Sequence, residues 1–284
     1  MLIGMHARTG GSIASAVGYA AGLGSECVQV FAKSPQRWLS HPLDPVAAAQ
    51  ARELASRLGM PLFTHTAYLI NLGTTDPELR RRSVDALADE LVRGAALGAL
   101  GVVTHIGTDV LADPDTAADR IVEAVAEACV QAGEAGGRLL LLENSAGAGS
   151  SFGGSFEELG AVFERLDDLG LGAGLCLDTC HAHAYGHDLT GGGAWAAVLD
   201  SLEGCCGRGR LRLLHANDCA YPLGSKKDRH AWIGDGAIGY GGFEAMLREP
   251  RVSEVPAVME MSGEAPAKDV ENLSRLKRAR DAAV

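Results

Sequence analysis

Histidines and carboxylates stand just after short apolar runs along this chain, and together they make a ligand set. His6 follows the first such run, and His65 lies one residue beyond the third. His105, Glu143, Asp178, His215 and Glu260 end the fourth to eighth. Asp178 and His181 are three apart, while Asp228 and His230 are two apart in an expected extended loop. Imidazole nitrogen with carboxylate oxygen, and no obligatory thiolate, suits zinc or manganese. His65, His105, His181, His215 and His230 with Glu143, Asp178, Asp228 and Glu260 exceed what one ion can use. They suffice for three. Three Zn²⁺ carry +6 against four carboxylates at −4, a local surplus near +2 that attracts a phosphodiester. Clustered metals activate water and stabilise both the attacking and departing oxygens of a phosphoryl transfer.

Such residues converge only if the fold brings the ends of the apolar runs together. The runs read as strands: Leu2–Met5, Cys27–Phe31, Pro61–Phe63, Gly101–Thr104, Arg138–Leu142, Gly174–Leu177, Leu211–Leu214 and Pro256–Met259. Helix patterns lie between them. Asp44-Pro45 supplies a cap and an N1 proline before Val46, Leu54 and Leu58, with Gly59 closing that helix. Asp76-Pro77 does the same before Val84, Leu87 and Leu91. Ser155 and Glu158 form a capping box ahead of Leu159, Val162 and Leu166. This alternation predicts an α/β fold, a (β/α)₈ TIM barrel in which all strand C-termini meet at one mouth. An open doubly wound sheet would leave the strand-end pattern unexplained. The second strand breaks the pattern, since its loop offers Lys33, Gln36, Arg37 and Trp38 instead.

The chain has 284 residues, 47% hydrophobic and 21% charged, enough for one domain spanning 1–284 with a large core. No apolar run approaches the ~18 to 20 residues of a membrane helix, so no membrane partner is expected. Residues 1–24 lack the basic-then-apolar order of a signal peptide, and seven irregularly spaced cysteines argue against a disulfide framework. A cytoplasmic location follows as the expectation. The formal net charge of −11 is unlike that of most nucleic-acid binders, but three divalent ions would move it to −5. The stretch from Gly147 to Ser155 has Phe152 where a dinucleotide fingerprint needs its third glycine, so no nucleotide cofactor is expected.

Three stretches carry a family resemblance: His65-Thr-Ala-Tyr68-Leu69-Ile70-Asn71-Leu72-Gly73; Gly174-Leu-Cys176-Leu-Asp178-Thr-Cys180-His181; and Leu214-His215-Ala-Asn217-Asp218 followed by Gly224-Ser225-Lys-Lys-Asp228-Arg229-His230. With Glu143-Asn144-Ser-Ala-Gly147 and Glu260, the chain resembles endonuclease IV over nearly its whole length. That family comprises the apurinic/apyrimidinic endonucleases of DNA base-excision repair, built on a xylose-isomerase-like barrel. The resemblance implies a trinuclear zinc site, with manganese an alternative at some positions. His65, His105 and Glu143 would hold one ion, and Glu143 would bridge to a second held by Asp178, His215 and Glu260. His181, Asp228 and His230 would hold the third. A hydroxide positioned with help from catalytic Glu143 would attack the phosphorus 5′ to an abasic site in double-stranded DNA, leaving a 3′-hydroxyl. Blocked 3′ ends would be trimmed in the same pocket.

For DNA contact the resemblance points to Tyr68 and Leu69, whose counterparts enter the duplex, and to the loop carrying Gln36 and Arg37. Lys226 and Arg229 flank a ligand motif and could meet phosphates. Gln36-Arg37 reverses the family's usual order before the tryptophan, Cys219 stands where a small residue is common, and His187 replaces a frequent tyrosine. None is a proposed ligand. The protein is expected to act as a monomer. The rival readings are a sugar isomerase or epimerase, which usually needs only one or two ions, and a non-catalytic metal-binding module. Asp228–His230, His181 and the Tyr68-Leu69 loop favour the nuclease.

Overall fold

Strands β1 (Ile3–His6), β2 (Val28–Phe31), β3 (Leu62–His65), β4 (Gly101–His105), β5 (Leu140–Glu143), β6 (Gly174–Asp178), β7 (Leu211–His215), β8 (Asp218–Cys219), β9 (His230–Ala231) and β10 (Ala257–Met259) alternate with helices. The helices are α1 (Ile13–Gly22), α2 (Pro45–Arg57), α3 (Pro77–Leu97), α4 (Pro114–Ala132), α5 (Phe156–Asp168), α6 (Thr179–Tyr185), α7 (Gly192–Cys206), α8 (Gly239–Arg248) and α9 (Pro266–Asp281). The computed structural model describes residues 1–38, 41–108, 113–136, 140–261 and 266–283. Eight of these strands close into a parallel barrel in the order β1-β10-β7-β6-β5-β4-β3-β2, while β8 and β9 pair separately as an antiparallel ribbon. The expected (β/α)₈ barrel is the observed fold.

The helix starts follow their side-chain chemistry. Asp44 accepts from Val46 N, and Asp76 accepts from the amides of Glu78 and Leu79, each before an N1 proline. Ser155 and Glu158 complete a reciprocal capping box. Gly98 ends α3 at φ 68°, a conformation that an L side chain adopts only with strain.

The strand boundaries differ from expectation in one consistent way. His6, His65, His105, Glu143, Asp178 and His215 are the last residues of their strands rather than the residues after them. The ladder's hydrogen bonds continue through these polar positions, so hydropathy alone stops short. Arg138 and Leu139 of the expected fifth strand lie outside the described residues.

The barrel interior is plugged by Cys27, Phe63, Val103, Leu141, Cys176, Leu213 and Val258, all 3% exposed or less. Burying a side chain of the Leu or Phe class contributes about 1.5 to 3 kcal/mol, so this plug rigidly supports whatever stands above it. A strand repeats its facing every two residues. Two positions beyond each plug residue stand Gln29, His65, His105, Glu143, Asp178, His215 and Glu260. The apolar layer and the polar layer are one period apart.

Candidate metal centre

The polar layer opens into a cavity of about 430 Å³ at the C-terminal mouth, lined by His65, His105, Glu143, His181, Asp228, His230 and Glu260, with His6, Arg8, Phe31, Tyr68 and Arg229. Asp178 and His215 form its fully buried floor. All nine residues singled out as ligands therefore meet in one place. Asp228 reaches the mouth from the loop, whereas His230 arrives on β9, paired with Cys219, rather than in the expected extended loop. The ribbon eluded the sequence because two residues carry too little periodicity to read as a strand.

Glu143 is the hub. Its Oε2 lies 3.2 Å from His65 Nε2 and 3.6 Å from His105 Nδ1, while Oε1 lies 3.0 Å from His215 Nδ1 and 3.4 Å from His181 Nδ1. Asp228 holds two histidines, with Oδ2 3.1 Å from His181 Nε2 and Oδ1 3.4 Å from His230 Nε2. His215 Nδ1 also approaches Glu260 Oε2 at 3.3 Å.

Backbone carbonyls fix two rings. His65 Nδ1 lies 2.8 Å from Thr66 O and His181 Nδ1 lies 3.0 Å from Asn144 O. A carbonyl only accepts, so each Nδ1 carries a proton, and each Nε2, facing a carboxylate oxygen, is the nitrogen left for a cation. Asn217, part of a motif but without a role legible in the sequence, orients two carboxylates: its Nδ2 donates to Asp178 Oδ2 at 2.7 Å and Glu260 Oε2 at 3.1 Å. Gln29 touches His6, His215 and Glu260. Sequence reasoning misses it, because histidines and acids are what signal a ligand set. The two-residue step from Cys27 is the signal that finds it.

Without metal, protons take the place of cations. Burial would push the Glu143 carboxyl up, but His105, His215 and His65 hold it well below the usual carboxylate range. His181 and His215 are raised well above the usual imidazole value: burial opposes this, and facing Asp178 and Asp228 for His181, or Cys176, Glu260 and Glu143 for His215, outweigh it. Burial dominates at His105 and lowers it to about 4.

The donors fit divalent metal ions. His65, His105 and Glu143 offer atoms all within 4.8 Å of one another, as do Glu143, Asp178, His215 and Glu260, and likewise Asp178, His181 and His230. Ligands about 2.0 to 2.2 Å from a shared ion fall within that spread. His230 Nε2 is buried with no hydrogen bond among the described residues, while carboxylate oxygens stand 3.4 and 3.5 Å away, an arrangement that a bridging cation satisfies. Cys180 reaches Asp228 and His230 as well. A hydrogen bond with Cys219, reinforced by burial, keeps its thiol protonated, and a thiol is a poor ligand.

The residues expected to touch DNA are distributed around the rim. Tyr68 is 58% exposed, lines the cavity, and meets Phe31 edge-on at 5.4 Å. Its backbone N–H donates to Pro35 O, which ties its loop to the one bearing Gln36 and Arg37. Both of those side chains stand outside the cavity lining. Leu69 is half-buried and also stands outside the lining. Arg229 lines the cavity, whereas Lys226 places its ammonium 3.1 Å from the centre of the Tyr185 ring. Arg8, which no sequence pattern singled out, also lines the mouth. Among the departures, His187 stacks on Phe156 at 4.0 Å.

Comparison with known proteins agrees with this geometry. Residues 17–279 match the family described as xylose isomerase-like TIM barrel. A probable endonuclease 4 from Methanoculleus marisnigri is 37% identical over 278 residues, covering 98% of both chains. The crystal structure of endonuclease IV from Thermus thermophilus superposes with a TM-score of 0.88 at 35% identity, covering 99% of this chain and 100% of that one. A D-tagatose 3-epimerase-like protein has a TM-score of 0.72 at 19% identity, with 99% of each chain covered, a likeness of fold alone.

Proposed function

Because the chain belongs to the endonuclease IV family, we infer that it is an apurinic/apyrimidinic endonuclease acting on DNA. It hydrolyses the phosphodiester 5′ to an abasic site, leaves a 3′-hydroxyl, and trims blocked 3′ ends in the same pocket. The observation that carries the chemistry is the Glu143 carboxyl, whose two oxygens face two different groups of donors at the barrel mouth.

In this reading His65, His105 and Glu143 hold one zinc ion. Glu143, Asp178, His215 and Glu260 hold a second, and His181, Asp228 and His230, whose carboxylate stands 3.1 and 3.4 Å from the two rings, a third, with manganese able to replace zinc at some positions. Bound divalent ions supply an activated water and neutralise charge on the phosphate and leaving oxygen. Glu143 fixes the spacing between the first two groups and orients the water that attacks. Thr66 and Asn144, through their carbonyls, keep His65 and His181 presenting lone pairs rather than N–H groups. Arg8 and Arg229 offer guanidinium groups at the rim, suited to phosphate oxygens. Tyr68 and Leu69 fill the space of the missing base, which costs less to open than a paired one. Gln36, Arg37 and Lys226 complete the DNA surface, Lys226 by leaving the Tyr185 ring for a phosphate. The chain works as one domain over 1–284, as a monomer in the cytoplasm.

The test is a duplex oligonucleotide carrying one tetrahydrofuran abasic analogue, which cannot β-eliminate. A nick on its 5′ side, with an extendable 3′-hydroxyl, is the expected product. An uncut duplex contradicts the reading.

A further inference from the structure

We propose that Gln29 is a positioning residue for the group formed by Glu143, Asp178, His215 and Glu260, an inference that rests on the metal-site reading above. Gln29 is fully buried on β2, one strand-period above Cys27 of the apolar plug, and its backbone is in register with His6. Its Oε1 lies 2.9 Å from His215 Nε2, and its Nε2 lies 3.1 Å from Glu260 Oε1 and 3.0 Å from His6 Nδ1.

These contacts fix the amide's orientation. A carboxylate only accepts, so the NH₂ must face Glu260 and the carbonyl must face His215. That carbonyl also only accepts, so His215 carries a proton on Nε2. With Nε2 engaged by that carbonyl, Nδ1 is the nitrogen available to a bound ion; it faces Glu143 Oε1, 3.0 Å away, and Glu260 Oε2, 3.3 Å away, carboxylate oxygens that a cation between them would satisfy. One side chain thus sets the tautomer of a histidine ligand and the rotation of a carboxylate ligand at once. The second N–H meets His6 Nδ1, which must then accept. This accounts for β2, the strand that offers neither histidine nor acid to the mouth: its contribution is the amide that aims two ligands carried by β7 and the β10 end.

Outer partners of this kind change metal affinity by about 10- to 100-fold when removed. The zinc-loaded protein, Gln29→Met (similar volume, no hydrogen bonds) and Gln29→Asn (an amide too short to span the three partners) are each challenged with a graded chromophoric chelator. Zinc released is counted per chain. We expect one ion of the set to leave the variants at about 10- to 100-fold lower chelator strength, with the others held as in the parent. If Gln29→Met does not fold, Gln29→Asn decides by the same criterion. Variants that hold every ion as tightly as the parent, or lose all ions together, overturn the proposal while the metal-site reading stands. A parent that binds no zinc overturns that reading and this proposal with it.

Discussion

Glu143 Oε1 lies 3.0 Å from His215 Nδ1, while the other oxygen of the same carboxyl lies 3.2 Å from His65 Nε2. A buried carboxylate shared between β3 and β7 is costly unless cations satisfy it from both sides. That relationship makes Glu143 the element around which the rest of the mouth is arranged.

Metal content is the first consequence. Nine donors in one cavity predict about three zinc-like ions per chain in protein purified without chelator. Elemental analysis that finds one ion or none contradicts the trinuclear account.

If Tyr68 and Leu69 recognise damage as proposed, they do so unequally. Tyr68 is exposed over the cavity and Leu69 is half-buried outside its lining. An aromatic stack on a nucleotide is worth about 1 to 3 kcal/mol, so Tyr68→Ala should weaken binding to abasic duplex about 5- to 150-fold with zinc content intact. Leu69→Ala should add less. A Tyr68→Ala, Leu69→Ala protein that binds like the parent assigns both residues to packing.

Glu26 predicts a pH effect away from the site. Burial raises its carboxyl, but hydrogen bonds from Arg280, Ile3 N and Lys277 outweigh this and hold it below the ordinary value. A depressed carboxylate stabilises the fold above its unfolded pKa of about 4.3, and that contribution fades as pH falls through the folded value. With the Glu26 side chain 28% exposed, the Arg280 and Lys277 ion pairs that join α9 to the barrel are worth about 1 kcal/mol or less. Urea titrations should show Glu26→Gln less stable by that amount at pH 7, with the gap narrowing as pH falls from about 5 towards 3. A constant gap across that range contradicts the assignment.

Much of this was legible in the sequence because the barrel repeats. Asp44, Asp76 and Ser155 marked helix starts locally, and the strand-end residues marked one mouth. What escaped depended on tertiary partners. Asn217 acquires its role only where Asp178 and Glu260 meet. His230 lies on a strand only because Cys219 pairs with it across a loop. Gln29 is an ordinary strand residue until His6, His215 and Glu260 surround it.

The central claim is that Glu143 sits at the reaction centre, and Glu143→Gln tests it most directly. The amide keeps the shape but removes the charge that two groups of donors share, so the attacking water loses its position. Losing such a transition-state contact costs about 3 to 5 kcal/mol, on the order of 10² to 10⁴ in rate. The measurement is single-turnover nicking of a tetrahydrofuran-containing duplex, with binding of the same duplex alongside. The account predicts that loss of rate with DNA affinity unchanged or slightly higher; a variant that cleaves within about threefold of the parent would contradict it.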